Sequence, residues 1–262
     1  MKLTISLAQM AFKLGAPEAN FAHAREWVVE AARRGSDLVL LPELWASGYD
    51  LENWETHATS LDEGLFLRVS ELARENRIAI GSSLLEKSNG RAYNTFVLFD
   101  SEGTRLGVYR KVHLFRLIDE HTWLSAGESL VCSDTHWGRI GLSTCYDLRF
   151  PEMFRSFAVD GARLVLMVAE WPERRVEHWR VLLKARAVEN QMFIAAVNKV
   201  GESKGVQLGG NSTVLNPWGR VLVEAGFEEV LLTTQIDLSE VDQVREWIPV
   251  FNDRRPEIYG GD

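Results

Sequence analysis

Cysteine and proline are scarce in this chain, two and seven among 262 residues. Cys132 and Cys145 cannot build a disulfide framework and lack zinc-ligand spacing, so a stapled secreted fold is excluded and a reducing cytoplasm is the expected compartment. No Pro/Gly/Ser-rich linker, charge block, repeat or low-complexity tract divides the sequence, which predicts a single domain over 1–262. No apolar run approaches the length of a membrane span. The first ten residues carry one lysine and an alternating apolar pattern, and read as a strand rather than a signal peptide. Positive charge is in deficit: 29 Lys and Arg against 37 Asp and Glu leave −8, which argues against nucleic acid as a partner. Of the six histidines, His113, His121, His136 and His178 lie near the motifs described below, yet no His-Glu-x-x-His or paired Cys/His spacing occurs. No metal or other cofactor is therefore expected, and His113 reads as a packing or hydrogen-bonding residue beside Lys111.

Core-forming material is ample, with 46% of residues hydrophobic. Apolar periodicity predicts helices over 17–34, 65–76, 151–160, 177–190 and 238–247. Strands are predicted at 1–10, 38–41, 78–85, 93–99, 106–110, 130–133, 139–143, 164–168, 192–200, 212–215, 221–223 and 230–236. Many strands with helices between them define an α/β chain of sheets covered by helices. The periodicity leaves strand order open.

Three stretches place reactive side chains just past strand ends, where α/β folds tend to hold functional groups. Glu43 follows an apolar run and the stiffening Pro42. Lys111 closes the strand before Val-His-Leu-Phe115. Cys145 interrupts the apolar run 137–143, on a turn ahead of a helix that Pro151 can start; helix-terminal N–H groups there would favour a thiolate. Singly, each has an ordinary reading as a buried small hydrophobe, a helix cap or a solvated charge. Together they form a set for acyl transfer: a carboxylate whose pKa burial raises enough to take the thiol proton, and an ammonium to hold an oxyanion.

The segments Leu-Pro-Glu43, Tyr-Arg-Lys111-Val-His-Leu-Phe and Ser-Thr-Cys145-Tyr-Asp-Leu-Arg-Phe-Pro-Glu resemble, in order and separation, the three signature segments of the nitrilase superfamily of carbon–nitrogen hydrolases. The resemblance spans about 2–237 and takes in Ala169-Glu-Trp-Pro172, Ala185-Arg-Ala-Val-Glu-Asn-Gln191 and the run 210–219. It implies a four-layer αββα sandwich, a Glu43–Lys111–Cys145 triad, and a second glutamate, Glu120, that orients Lys111 and touches the substrate nitrogen. It further implies an oxyanion contact from the backbone N–H of Tyr146, a thioester intermediate, and a homodimer. The apolar tail 248–262 is expected to pack over the domain or across the dimer interface.

Among superfamily members the segments around Lys111, Glu120 and Trp171 look most like ω-amidases, which hydrolyse the terminal amide of 2-oxo-dicarboxylic acid monoamides such as 2-oxoglutaramate and 2-oxosuccinamate. The expected partners are thus a small amide and water. Arg149, Arg174 or Arg175 would hold the distal carboxylate, with Tyr49, Phe115 and Trp171 as an apolar wall. Other small-amide, N-carbamoyl and deaminated-glutathione amidases, a nitrilase, and an idle binding protein on the same fold stay open. Two departures bear on substrate: Asn216 stands where many relatives carry Asp, and Glu170 where Asn is frequent before Trp-Pro.

Overall fold

A computed structural model describes residues 1–259. The last three positions of the expected domain and tail, 260–262, lie outside the described residues. The first half runs β1 (Lys2–Gln9), α1 (Pro17–Arg33), β2 (Leu38–Leu40), α2 (Trp54–His57), α3 (Gly64–Asn76), β3 (Ala79–Ser88), β4 (Arg91–Phe99) and β5 (Arg105–Arg110). After α4 (Glu120–Trp123) come β6 (Cys132–Thr135), β7 (Gly138–Thr144), α5 (Pro151–Val159), β8 (Leu164–Ala169), α6 (Val176–Asn190) and β9 (Phe193–Asn198). The chain continues with β10 (Glu202–Ser203), β11 (Val206–Gln207), β12 (Thr213–Leu215), β13 (Val221–Glu224), β14 (Val230–Asp237), α7 (Glu240–Trp247) and α8 (Pro256–Tyr259).

Two six-stranded sheets result, in the orders β14-β1-β2-β3-β4-β5 and β13-β12-β9-β8-β7-β6. Each has three adjacent parallel strands, β1-β2-β3 and β7-β8-β9, with antiparallel strands outside them. The alternation of side chains along a strand decides what each face buries. In the first sheet Leu3, Ile5, Leu7, Leu38, Leu40, Phe96 and Leu98 point to the second sheet, while Val39, Leu41, Val97 and Phe99 point the other way. That outer face is covered by α1, through Ala24, Val28 and Ala31, and by α3, through Phe66, Val69 and Leu72. Every residue of β8 is buried, because the second sheet is covered on both sides, by the first sheet and by Phe154 and Phe157 of α5 and Leu183 and Ala187 of α6. The layers are therefore helix, sheet, sheet, helix, the αββα sandwich that the sequence resemblance implies.

The predicted long elements are present with small shifts at their ends. The hairpin β10–β11 and the short helices α2, α4 and α8 were not predicted; two-residue strands and single turns are too short to show a period. In the tail, Phe251 packs on the core while Ile248, Ile258 and Tyr259 are exposed, as is Trp247 at the end of α7.

The layer between the sheets is the main source of buried apolar area. Leu166→Ala, in the centre of β8, should destabilise the protein by about 2–5 kcal/mol in urea unfolding, as large-to-small changes at collapsed-in sites do. Leu222→Ala, on the partly exposed outer strand β13, should cost less than about 1 kcal/mol.

Candidate active site

Five polar side chains follow strand ends at one edge of the sandwich: Glu43 after β2, Lys111 after β5, Cys145 after β7, Glu170 after β8 and Lys199 after β9. Because β2, β7, β8 and β9 run parallel within their sheets, their carboxyl ends converge there, as ligand-binding edges of parallel sheets do. Two of the turns need unusual backbone. Leu44 and Cys145 both take positive φ, 42° and 46°, a conformation costly for residues other than glycine.

Lys111 is completely buried and is held by carboxylates. Its Nζ donates to Glu43 Oε1 at 3.0 Å, to both oxygens of Glu120 at 2.9 Å, and to the Tyr49 hydroxyl at 3.1 Å. Glu120 also accepts from the Phe115 backbone N–H at 2.7 Å, which ties the loop ahead of α4 to the cluster. Glu43 Oε1 accepts from three donors: the Tyr49 hydroxyl at 2.7 Å, Asn94 Nδ2 at 2.8 Å and Lys111. Glu43 Oε2 accepts the Glu170 N–H at 2.9 Å, and the Cys145 thiol lies near enough to the same carboxylate for each to shift the other's titration. The Cys145 thiol also points at the Glu170 carbonyl, Sγ to O 3.8 Å.

Electrostatics assigns the protons. Burial works to raise the Glu43 carboxyl, but the Lys111 ammonium and the bonds from Tyr49 and Lys111 outweigh it and hold Glu43 below the usual carboxylate range. Glu120 goes the other way: burial, together with the charge of Glu43, pushes it up against the pull of Lys111. Burial lowers Lys111, yet Glu120 and Glu43 more than compensate and keep it an ammonium. The Cys145 thiol is pushed well up, first by burial and then by the Glu43 carboxylate. Two expectations are thereby corrected. Burial does not leave Glu43 with a raised pKa, because the Lys111 charge and the hydrogen bonds from Tyr49 and Lys111 oppose it. Nor does the turn favour a thiolate: Cys145 opens a 3₁₀ turn, Cys145–Arg149, and α5 begins only at Pro151, so no long helix end faces the sulfur. The resting pair is a carboxylate beside a thiol.

A second network braces this arrangement. The buried Asp147, two residues beyond Cys145, accepts from the Thr144 N–H at 2.8 Å and the Tyr109 hydroxyl at 2.7 Å. It also contacts the backbone N–H and the Nδ1 of His113 at 3.2 and 2.8 Å. His113, two residues past Lys111, stacks on Phe150 with ring centroids 3.6 Å apart. The cysteine turn and the lysine loop are thus fastened together.

Above the thiol lies a cavity of about 150 Å³, open to solvent. Every residue expected to bind substrate lines it, the wall residues Tyr49, Phe115 and Trp171 and the arginines Arg149, Arg174 and Arg175, along with Cys145 and Tyr146. Tyr49 is more than an apolar wall, since its hydroxyl belongs to the buried polar cluster. Glu43, Lys111 and Glu120 are fully buried and lie outside the cavity lining. Among the described residues no carboxylate lies within ion-pair distance of Arg149, Arg174 or Arg175. The lining acids Glu52 and Glu170 are taken by Lys204 and Lys199, both at 2.7 Å. Arg149 sits 4.9 Å from the Trp171 ring centroid and Arg175 5.4 Å from that of Phe115. Burial first, and then the neighbouring charges of Arg174 and Arg149, push the Arg175 pKa down.

Sequence reasoning missed several residues of this site. Asn94 lies inside a long strand and gave no sign. Lys199 had one available signal, a lysine directly after the fully buried strand β9. Ser203, Lys204 and Val206 reach the cavity on the unpredicted hairpin.

The described residues hold no cluster of His, Cys, Asp or Glu suited to a metal ion, and no helix is long and apolar enough to cross a membrane. A helix-covered pair of mixed sheets with this polar edge defines a class, the nitrilase-type hydrolases. Residues 4–246 match the carbon-nitrogen hydrolase family, and the chain belongs to it. It is accordingly a hydrolase of non-peptide carbon–nitrogen bonds. It is 40% identical to the 2-oxoglutaramate amidase of Bacillus subtilis over 99% of this chain and all of that protein. With the human omega-amidase NIT2 it shares 36% identity over 92% and 91% of the two chains. Among solved structures, the carbon-nitrogen hydrolase superfamily protein XC1258 of Xanthomonas campestris, with an arsenic adduct in its active site, superposes with a TM-score of 0.91. That match has 32% identity and covers 97% of this chain and 98% of the other.

The proton assignment has a direct consequence. Thiolate absorbance near 240 nm, taken as the difference between wild type and Cys145→Ser, should stay absent through pH 8.5, where a free cysteine of pKa about 8.5 is half ionised. In Glu43→Gln the carboxylate charge is gone, so the Cys145 transition should move to lower pH. A wild-type midpoint below pH 8 would contradict the raised thiol.

Proposed function

We propose that this protein is an ω-amidase-like thiol amidohydrolase, converting the monoamide of a small 2-oxo-dicarboxylic acid, 2-oxoglutaramate or 2-oxosuccinamate, to the diacid and ammonia. The observation that carries the substrate assignment is the cluster of three arginines without carboxylate partners around the mouth of the cavity over Cys145. In a chain of net charge −8 such a cluster is a local exception, and an anion set among Arg149, Arg174 and Arg175 would relieve their mutual repulsion. The names of the Bacillus and human relatives support the same class. An idle binding protein would have no need of a buried Lys111 held by two carboxylates next to a thiol.

In this reading Glu43 is the general base, Cys145 the nucleophile and Lys111 the oxyanion partner. Oxygen Oε1 of Glu43 is saturated by three donors, so Oε2 takes the thiol proton as sulfur attacks the amide carbon. The oxyanion is stabilised by Lys111 and by the backbone N–H of Tyr146, which as the second residue of the 3₁₀ turn has no partner inside that turn. Glu43 returns the proton to the leaving nitrogen, and ammonia departs from a Cys145 thioester. A water, deprotonated by the same carboxylate, then attacks the thioester; the acid leaves and the thiol regains its proton. Glu120 holds Lys111 in place.

The fold, operating as one hydrolase domain in the cytoplasm, would act as a homodimer, with the exposed residues Trp247, Ile248, Ile258 and Tyr259 as candidates for the contact. Sedimentation velocity would show a two-chain species, and a Trp247→Glu variant should shift it toward one chain.

The chemistry is tested by ammonia release. Cys145→Ala should abolish turnover and Cys132→Ala should spare it. Glu43→Gln and Lys111→Ala should each lower kcat by at least about a hundredfold, the usual weight of a general base or an oxyanion donor. The substrate class is tested by kcat/KM for 2-oxoglutaramate against an uncharged amide of equal length. Wild type should favour the anion, and Arg175→Lys should lose most of that preference because the paired geometry goes with the guanidinium. If none of the Arg149, Arg174 and Arg175 variants selectively loses the anion, the assignment fails and a broader amidase or N-carbamoyl amidase takes its place.

A further inference from the structure

A second buried lysine stands behind the first. Lys199 is fully buried, and its Nζ donates to Glu170 Oε2 at 2.7 Å and to the Leu44 carbonyl at 3.3 Å, 3.7 Å from the centroid of the Phe12 ring. Neither acceptor is incidental. Leu44 is the strained residue directly after Glu43, and its N–H is held by Ser83 Oγ at 3.0 Å. Glu170 is the residue whose N–H binds Glu43 Oε2 and whose carbonyl faces Cys145 Sγ. One ammonium therefore grips both segments that set where the base and the thiol stand.

We infer that Lys199 and Glu170 form a positioning pair that fixes Glu43 Oε2 against the Cys145 thiol and sets the pH at which Glu43 becomes an effective base. The inference rests on Glu43 acting as the base, as proposed above. The pair touches neither the scissile bond nor any reacting atom through its side chains. It works through the 170 N–H, which must lie along the Oε2 lone pair left over when Oε1 is saturated. The side chain of Glu170 is almost fully buried, so its charge and that of Lys199 are poorly screened from the cluster. The charged or titratable groups around Glu43 are Lys111, Tyr49 and Cys145, with Glu120 across Lys111. Those around Lys199 are Glu170 and, farther off, Glu43 and Cys145, and burial lowers the lysine against their pull. Burial disfavours an ammonium at that position, and the Glu170 carboxylate and the Leu44 carbonyl offset part of that cost.

The two partners should move Glu43 in opposite directions. Losing the ammonium leaves a buried carboxylate nearby and loosens the 170 N–H, so Glu43 should titrate higher. Replacing Glu170 by Gln keeps the shape and an acceptor for Lys199 but removes a negative charge, so Glu43 should titrate lower.

The test measures the rate of iodoacetamide alkylation at Cys145 against pH, resolved from Cys132 by peptide mass spectrometry, in wild type and the variants Lys199→Met, Glu170→Gln and Glu43→Gln. The probe is neutral and independent of the substrate assignment. Wild type should show an acid limb that Glu43→Gln lacks. Lys199→Met should move that limb up, and Glu170→Gln should move it down, each by about half a pH unit or more. Thermal melts accompany each variant. A purely structural pair would lower the melting temperature and leave the limb in place, and that result overturns the inference, as does a shift of the same sign in both variants. Should Lys199→Met fail to unfold cooperatively, Glu170→Gln decides alone: a downward shift supports the pair, and an unmoved or raised limb overturns it. If Glu43→Gln keeps the limb, the assignment of Glu43 as base fails and this inference with it. If the limb is lost there but unmoved in Glu170→Gln, only the positioning pair fails.

Discussion

The burial of Lys111 is the constraint around which the site is organised. Moving an ammonium out of water costs several kcal/mol even after relaxation, and only close, well-directed anions return that energy. Here Glu43 and Glu120 supply them, at 2.9–3.0 Å, with the Tyr49 hydroxyl completing the cage. The arrangement is poor as a source of stability, since a pair of this kind can often be replaced by packed hydrocarbon without loss. It is valuable as a fixed field. Removing either carboxylate would strand a charge in a dry interior, so the three side chains form one unit. The same field favours an ionised Glu43, while burial and that carboxylate favour a protonated sulfur, the pairing of carboxylate and thiol that the proposed mechanism starts from.

Such a field is useful only if the backbone holds it still. Positive φ at Leu44 and Cys145 stores strain at the two residues that matter most, and the surrounding bonds maintain it. Asp147 ties the cysteine turn to the lysine loop through Thr144, Tyr109 and His113. The segment after β8 crosses between them, giving its N–H to Glu43 while Trp171 is locked by Asn198, N–H to Oδ1 2.7 Å and Nδ2 to carbonyl 3.1 Å. Catalytic geometry within about 0.5 Å generally requires this kind of support from neighbouring side chains.

The proposed specificity draws on a different balance of charge. The cavity wall mixes rings and guanidiniums, and the acids that could neutralise the arginines are engaged elsewhere, Glu52 by Lys204 and Glu170 by Lys199. The result is a locally positive mouth on an acidic protein, suited to a small anion that arrives against the overall charge.

The linear sequence was sufficient for the layered α/β fold, because its long elements carry strong periods: α1 and α3 at helical spacing, β8 and β9 as unbroken apolar runs. It also singled out Glu43, Lys111 and Cys145, which folding brings together, because each follows a strand within a distinctive short motif. It did not determine strand order, which depends on contacts between residues far apart in the chain, nor the hairpin β10–β11, whose strands are too short for a pattern. The protonation states were decided by the tertiary structure alone. A pKa reflects every donor, cation and dry surface brought within a few ångströms. Asn94, Tyr49 and Lys111 reach Glu43 from positions 51, 6 and 68 residues away. Lys199 shows the same limit: in sequence it is one lysine after a strand, and only folding sets it behind Glu170 and Leu44, where a buried charge must find a partner.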